Sequence, residues 1–228
     1  MGENGLQKCA AEFIGTFALI FIGAGSICVG VFPDVNHSLL AIAIAHGLVI
    51  AVMVSATGHI SGGHLNPAVT FGALITRKIS APLGLGYVVA QLLGAVAAAF
   101  ILSKAFDPGL WQKCNLGTPT LSHGFETNPM GGAIIEAILT FFLVFVVFGT
   151  GIDSRGPKIG GLAIGGAVAL DILLGGPLTG AAMNPARVFG PALIGGYLGN
   201  AHWVYWVGPL VGGGAAALVY DKFVGKPA

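Results

Sequence analysis

Asn66 and Asn184 each open the tripeptide Asn-Pro-Ala, and each tripeptide is followed two residues later by Phe-Gly. The two asparagines stand 184 − 66 = 118 residues apart in a chain of 228. Asn is a favoured N-cap, and Pro at the first helical position loses no useful hydrogen bond. Each copy therefore predicts a helix start. An Asn whose carbonyl oxygen caps its own helix keeps an amide NH₂ for donation. Ser61-Gly62-Gly63 precedes the first break and Thr179-Gly180-Ala181-Ala182 the second. Such small residues let extended backbone expose its carbonyls.

These breaks lie in a very apolar chain. It is 55% hydrophobic and 8% charged, with 38 glycines and a mean hydropathy of +0.87. Soluble domains carry about 25% charged residues. A polytopic membrane protein is indicated, with glycines that let helices approach closely. A net charge of +1 gives no basic patch for nucleic acid. Cys9, Cys28 and Cys114 follow no metal-ligand spacing, and an odd count makes a poor disulfide framework. Cys9 and Cys28 share one apolar segment and have the character of packing thiols. No cofactor or metal is expected.

Six segments are long enough to span, at about 9–31, 39–57, 83–103, 130–150, 159–176 and 202–224. Two half-length pieces, 66–77 and 184–196, begin at the Asn-Pro-Ala copies. With the N-terminus in the cytoplasm, Lys8, Arg77, Lys78, Arg155, Lys158, Lys222 and Lys226 lie inside, and only Lys104 and Lys113 outside. Lys and Arg concentrate on the cytoplasmic side, so both termini are expected there. Asn36-His37-Ser38 matches a glycosylation sequon in a short loop, where its use is not expected.

The halves are related. Glu-x-x-x-Thr-Phe occurs at Glu12/Thr16/Phe17 and at Glu136/Thr140/Phe141. Repeats of about 8–103 and 130–224, with three spans each, must be inverted in the membrane. The expected fold is a single all-α transmembrane domain over 1–228, with six spanning helices and two half-helices. The half-helices enter from opposite faces and meet head-on, so two positive dipole ends face one point. A cation is disfavoured there, and a neutral molecule with an acceptor oxygen is favoured. The implied structure is a narrow pore. Asn66-Pro67-Ala68 and Asn184-Pro185-Ala186 form its centre. The backbone carbonyls of Gly62, Gly63, His64, Leu65, Gly180, Ala182 and Met183 form a ladder along one wall.

"SGGHLNPAVTFG" and "GAAMNPARVFGP", with "HWVYWVGP" in the last span, resemble the signatures of the aquaporin (major intrinsic protein) family over about residues 8–224. The resemblance implies a passive channel, not an enzyme, assembled as a homotetramer in the lipid bilayer. It implies a second constriction at four positions located by their distance from the motifs: His46, Ile172, Ala181 and Arg187. His and Ile at the first two resemble the vacuolar-membrane aquaporins of plants. Val188 departs from the Ser that water-type members usually place after the Arg. The resemblance also implies that Glu12 and Glu136 anchor the extended loops, and it makes His123, in the long outer loop, a candidate accessory to the filter. The permeants expected are water and small neutral solutes: ammonia, with hydrogen peroxide and urea as further candidates. Protons and ions are excluded. The alternatives are a glycerol or polyol facilitator, which would use aromatics in the four positions and Asp after the Arg, and an ion-coupled secondary transporter. For the transporter, the spans offer only Glu12 and Glu136 at the midplane, and the family gives both a structural role.

Overall fold

A computed structural model describes residues 3–35, 37–199 and 201–225. Asn36 of the sequon and Lys226 lie outside them. The first span runs from Glu3–Leu19 through a π-helical turn at Ile20–Ala24 into Gly25–Val29. The second, Leu39–Ser61, starts where the Ser38 hydroxyl accepts from the Ala41 N–H. It stops at Gly62, whose φ of 91° needs a residue without a Cβ. The third is Ala81–Ala105. The fourth, Pro129–Val147, ends in a π-helical turn at Phe148–Ile152, and the fifth is Gly160–Thr179. The sixth, Val204–Val219, is short alone and gains length from the turn Tyr220–Val224. The half-helices are Pro67–Ile75 and Pro185–Gly195.

Between the third and fourth spans the chain forms two short helical turns, Pro108–Trp111 and His123–Glu126, separated by a tight turn at Gln112–Gly117. At the opposite end of the molecule, Arg155 donates to Asp153 through its backbone N–H and both Nε and Nη2. Those bonds hold the Asp153 carboxyl well below the usual carboxylate range. Tyr220 donates its hydroxyl to the same carboxylate, and Lys78 pairs with Asp221 at 2.8 Å. Together these contacts tie the sixth span to the loops after the fourth span and the first half-helix.

Within each repeat the outer spans pair, the first with the third and the fourth with the sixth. The second and fifth pair across the repeats. Glycine sets the closeness of each crossing. A Cβ on Gly165 would fall on the Gly47 carbonyl oxygen, and one on Gly47 would meet the Gly165 carbonyl oxygen at 2.6 Å. Gly94 meets the Phe13 carbonyl, and Gly212 meets the Ala137 carbonyl, in the same manner. These two glycines are themselves 212 − 94 = 118 residues apart, the spacing of the Asn pair. Apolar side chains such as Leu40, Ile44, Leu48 and Val52 form an exposed stripe along the second span, suited to lipid.

A Gly165→Val variant should lose about 2 kcal/mol or more by over-packing against the second span. Gly166→Val, which has open space at its Cβ, should lose little. Unfolding in detergent compares the two, and equal losses would contradict this packing.

Candidate functional site

Both extended loops lie deep in the protein, where unpaired backbone polar groups are costly. Each loop is closed by one buried carboxylate from the span that opens its repeat. Glu12 Oε1 accepts from the Ser61 hydroxyl at 2.6 Å and the His64 N–H at 2.9 Å. Its Oε2 accepts from the Leu65 N–H at 2.6 Å and the Gln91 amide at 2.7 Å. Glu136 Oε1 accepts from the Thr179 hydroxyl at 2.6 Å and the Ala182 N–H at 2.9 Å, and Oε2 from the Met183 N–H at 2.8 Å. Neither carboxylate is exposed at all.

The rest of each loop is symmetric too. Tyr87 donates to the Ser61 carbonyl and Tyr205 to the Thr179 carbonyl. The left-handed residues also match in register: Gly62 with Gly180, Gly63 with Ala181, and Leu65 with Met183. Ala181 (φ 43°), Leu65 (φ 50°) and Met183 (φ 51°) hold that conformation with side chains, which is strain that the surrounding bonds must sustain.

At the centre, Asn66 Oδ1 caps its half-helix by accepting from the Ala68 N–H at 2.8 Å. Asn184 Oδ1 does the same for Ala186 at 3.0 Å and Arg187 at 3.3 Å. The amides then cross between repeats. Asn66 Nδ2 donates to the Met183 carbonyl at 2.8 Å, and Asn184 Nδ2 donates to the Leu65 carbonyl at 2.9 Å. The carbonyls of Leu65 and Met183 thus lock the opposite half-helix. Of the residues expected in the ladder, Gly63, His64, Ala182 and Met183 line the passage beside the asparagines, while Gly62, Leu65 and Gly180 are not among its lining residues. Each Asn amide spends one N–H on this lock, and among the described residues its second N–H makes no hydrogen bond.

A narrow cavity runs past both asparagines. Its free space is about 40 Å³, room enough for water. Pro67 and Ala68, like Pro185 and Ala186, are buried behind their asparagines as the first helical turns. Ile50, Val54, Leu143, Val147 and Val168 give the cavity an apolar wall.

His46, Ile172, Ala181 and Arg187 all line this same cavity. Arg187 donates from Nη1 to the Gly117 carbonyl at 2.8 Å, which fixes the guanidinium on the turn before the fourth span. His46 Nδ1 lies 2.9 Å from the Ile42 carbonyl and so carries a proton. Its Nε2 is buried and has no partner among the described residues. The ring fits only because residue 23 is glycine, where a Cβ would meet His46 Nε2 at 2.6 Å.

His123 is not part of this site. Its side chain is 98% exposed and faces Glu126 at 3.4 Å, because the turn His123–Glu126 sits outside the bundle. Leu121, two residues earlier, is buried instead and belongs to one apolar cluster with Ala182 and Val188. The sequence reading also left unnamed Gly23, Gly117, Thr70 and Gln91. Gln91 bridges Glu12 to the Thr70 hydroxyl, which in turn holds His64 Nδ1 at 3.1 Å. No motif marks Gly23, Gly117 or Gln91, while Thr70 lies inside the first Asn-Pro-Ala signature. Ser61/Thr179 and Tyr87/Tyr205 did carry a signal, because both pairs repeat at the 118-residue spacing of the asparagines.

An inverted repeat of spanning helices, with two capped half-helices meeting on a water-sized passage, defines an integral membrane channel. The sequence profile described as "Major intrinsic protein" matches residues 3–220, and the chain belongs to that family of passive channels. It is 45% identical over 224 residues to "Aquaporin TIP4-4" of Zea mays, covering 95% of this chain and 86% of that protein. It is 42% identical over 230 residues to "Aquaporin TIP2-1" of Arabidopsis thaliana, covering 97% of this chain and 89% of that one. Among solved structures, the aquaglyceroporin from Plasmodium falciparum superposes with a TM-score of 0.83 at 23% identity, covering 96% of this chain and 97% of that one. At that identity the likeness establishes the fold.

Replacing Glu136 by Ala strands two backbone N–H groups and a hydroxyl in the interior. The expected loss is about 3 kcal/mol or more, since each stranded donor costs about 1–3 kcal/mol. Glu136→Gln, which keeps an acceptor oxygen, should lose less. The order of the two midpoints in a detergent unfolding series checks this.

Proposed function

We propose that this channel passes water together with ammonia, and also hydrogen peroxide and urea, while holding back protons and ions. The observation that carries the reading is the crossed pair of Asn amides. Each is pinned by one N–H and keeps the other for the passage. A permeant oxygen at the centre accepts from Asn66 and Asn184 together. Its own hydrogens then point away toward the carbonyls on either side. Donor and acceptor roles reverse at that point, so a proton cannot hop through the file in one sense. The two helix N-termini add a positive potential that opposes cations.

The second constriction refines the selection. Arg187 presents a fixed positive charge and hydrogen-bond donors. His46 offers Nε2, Ile172 an apolar wall, and Ala181 extra width. The absence of an aromatic among the four favours small polar permeants over glycerol. Homotetrameric assembly in the bilayer, each subunit with its own pore, and cytoplasmic termini complete the proposal. Support for them comes from family membership and from the Lys and Arg distribution.

Stopped-flow measurements on proteoliposomes test this reading, with water, ammonia, urea, hydrogen peroxide and glycerol compared under an internal pH dye. Fast water and ammonia flux without proton entry is expected. Arg187→Val should raise proton entry more than it lowers water flux. Glycerol flux with little water flux would overturn the proposal, as would unchanged proton exclusion in the Arg187 variant.

A further inference from the structure

Cys28 closes the first span and Cys114 lies in the turn Gln112–Gly117, 86 residues away, yet their sulfurs are 3.5 Å apart. Both are thiols. We propose that Cys28 and Cys114 form an oxidisable dithiol site, whose disulfide ties the Arg187-holding turn to the end of the first span.

The geometry places the two chemistries on one short piece of backbone. Cys114 begins a run that continues through Asn115 (φ 50°), Leu116 (φ 53°) and Gly117 (φ 71°), three successive left-handed residues. The run wraps the backbone around Cys114, whose sulfur also lies 3.3 Å from the Trp111 carbonyl oxygen. Three residues beyond the sulfur, the Gly117 carbonyl accepts from Arg187. The turn has little freedom to absorb a pull. Leu116 is fully buried, and a Cβ on Gly117 would meet Ala24 of the first span at 2.8 Å. Movement of Cys114 toward Cys28 is therefore passed along the turn to the carbonyl that fixes Arg187.

Cys114 is the attacking sulfur. It is half-buried where Cys28 is buried, and it lies in the loop and not in a span. Its hydrogen bond with Cys28, backed by the surrounding backbone N–H groups, brings its thiol down to about 7 against the opposing effect of burial. A thiolate of that kind reacts with peroxides. With hydrogen peroxide as the oxidant, the Cys114 sulfur attacks one oxygen, and the O–O bond breaks. The departing hydroxide takes up a proton and leaves as water, and Cys114 becomes a sulfenic acid. The Cys28 sulfur then attacks the Cys114 sulfur, and the S–O bond breaks. The Cys28 proton leaves with that oxygen as a second water. Two thiols are oxidised to one disulfide, and one peroxide is reduced to two waters. The sulfurs must close from 3.5 Å to about 2 Å.

The test uses the full chain in proteoliposomes, reduced or treated with hydrogen peroxide. Peptide mass spectrometry after alkylation should find Cys28 linked to Cys114 with two hydrogens lost. Thiol reductant should release the link, and neither Cys28→Ser nor Cys114→Ser should form it. The linked channel should differ in water permeability by about two- to tenfold from the reduced one, the range that disturbing one hydrogen-bonded anchor gives. That second arm rests on the reading of Arg187 as a pore residue; the linkage does not. Separate alkylation of both cysteines after peroxide, or sulfinic acid on Cys114 without a link, would overturn the site. A link that leaves permeability unchanged would overturn its coupling to Arg187. A reduced channel that conducts no water would instead sink the proposed function while the linkage stood.

Discussion

The structure depends on satisfying non-helical backbone at the middle of a membrane. A half-helix needs a loop to reach its starting point, and a loop exposes N–H and C=O groups that hydrocarbon cannot solvate. Here Glu12 and Glu136 each gather the donors of one loop onto a buried carboxylate. A charge that would be a liability in an apolar span thus satisfies the loop backbone from which each half-helix starts.

The same logic governs the centre. The two half-helices could repel, since their positive ends converge. The crossed bonds from Asn66 to Met183 and from Asn184 to Leu65 join them instead. Each asparagine therefore does two things with one amide, capping its own helix and tying down the opposite loop, and in the proposed function its second N–H is the donor to the passage. An Asp would keep the cap but lose the amide donor. A Gln would place its amide one methylene further out. The geometry explains why this residue type stands at both positions.

Much of this was legible in the sequence because the signals are local or repeated. Pro67 and Pro185 mark helix starts within one residue of where they fall, and the 118-residue spacing reveals two equivalent halves. What escaped were contacts between distant segments. Nothing near Gly23 says that it makes room for His46, and nothing near Gly117 says that its carbonyl will meet Arg187. The locking role of the Leu65 and Met183 carbonyls escaped as well, because the crossing of the Asn amides exists only once both halves are assembled. His123 failed for a related reason: a loop of this length does not reveal which of its residues faces inward, and Leu121 does so here. Cys28 looked like packing within its span, and only the fold of the loop brings Cys114 to it.

The central claim is that both asparagines hold a single permeant oxygen at the meeting point of the half-helices. Diffraction from crystals of the protein, extended far enough to show ordered water inside the passage, tests this most directly. The account predicts a file of waters with one oxygen about 3 Å from both Asn66 Nδ2 and Asn184 Nδ2. A dry centre, or a file in which the central water bonds neither amide, would contradict it.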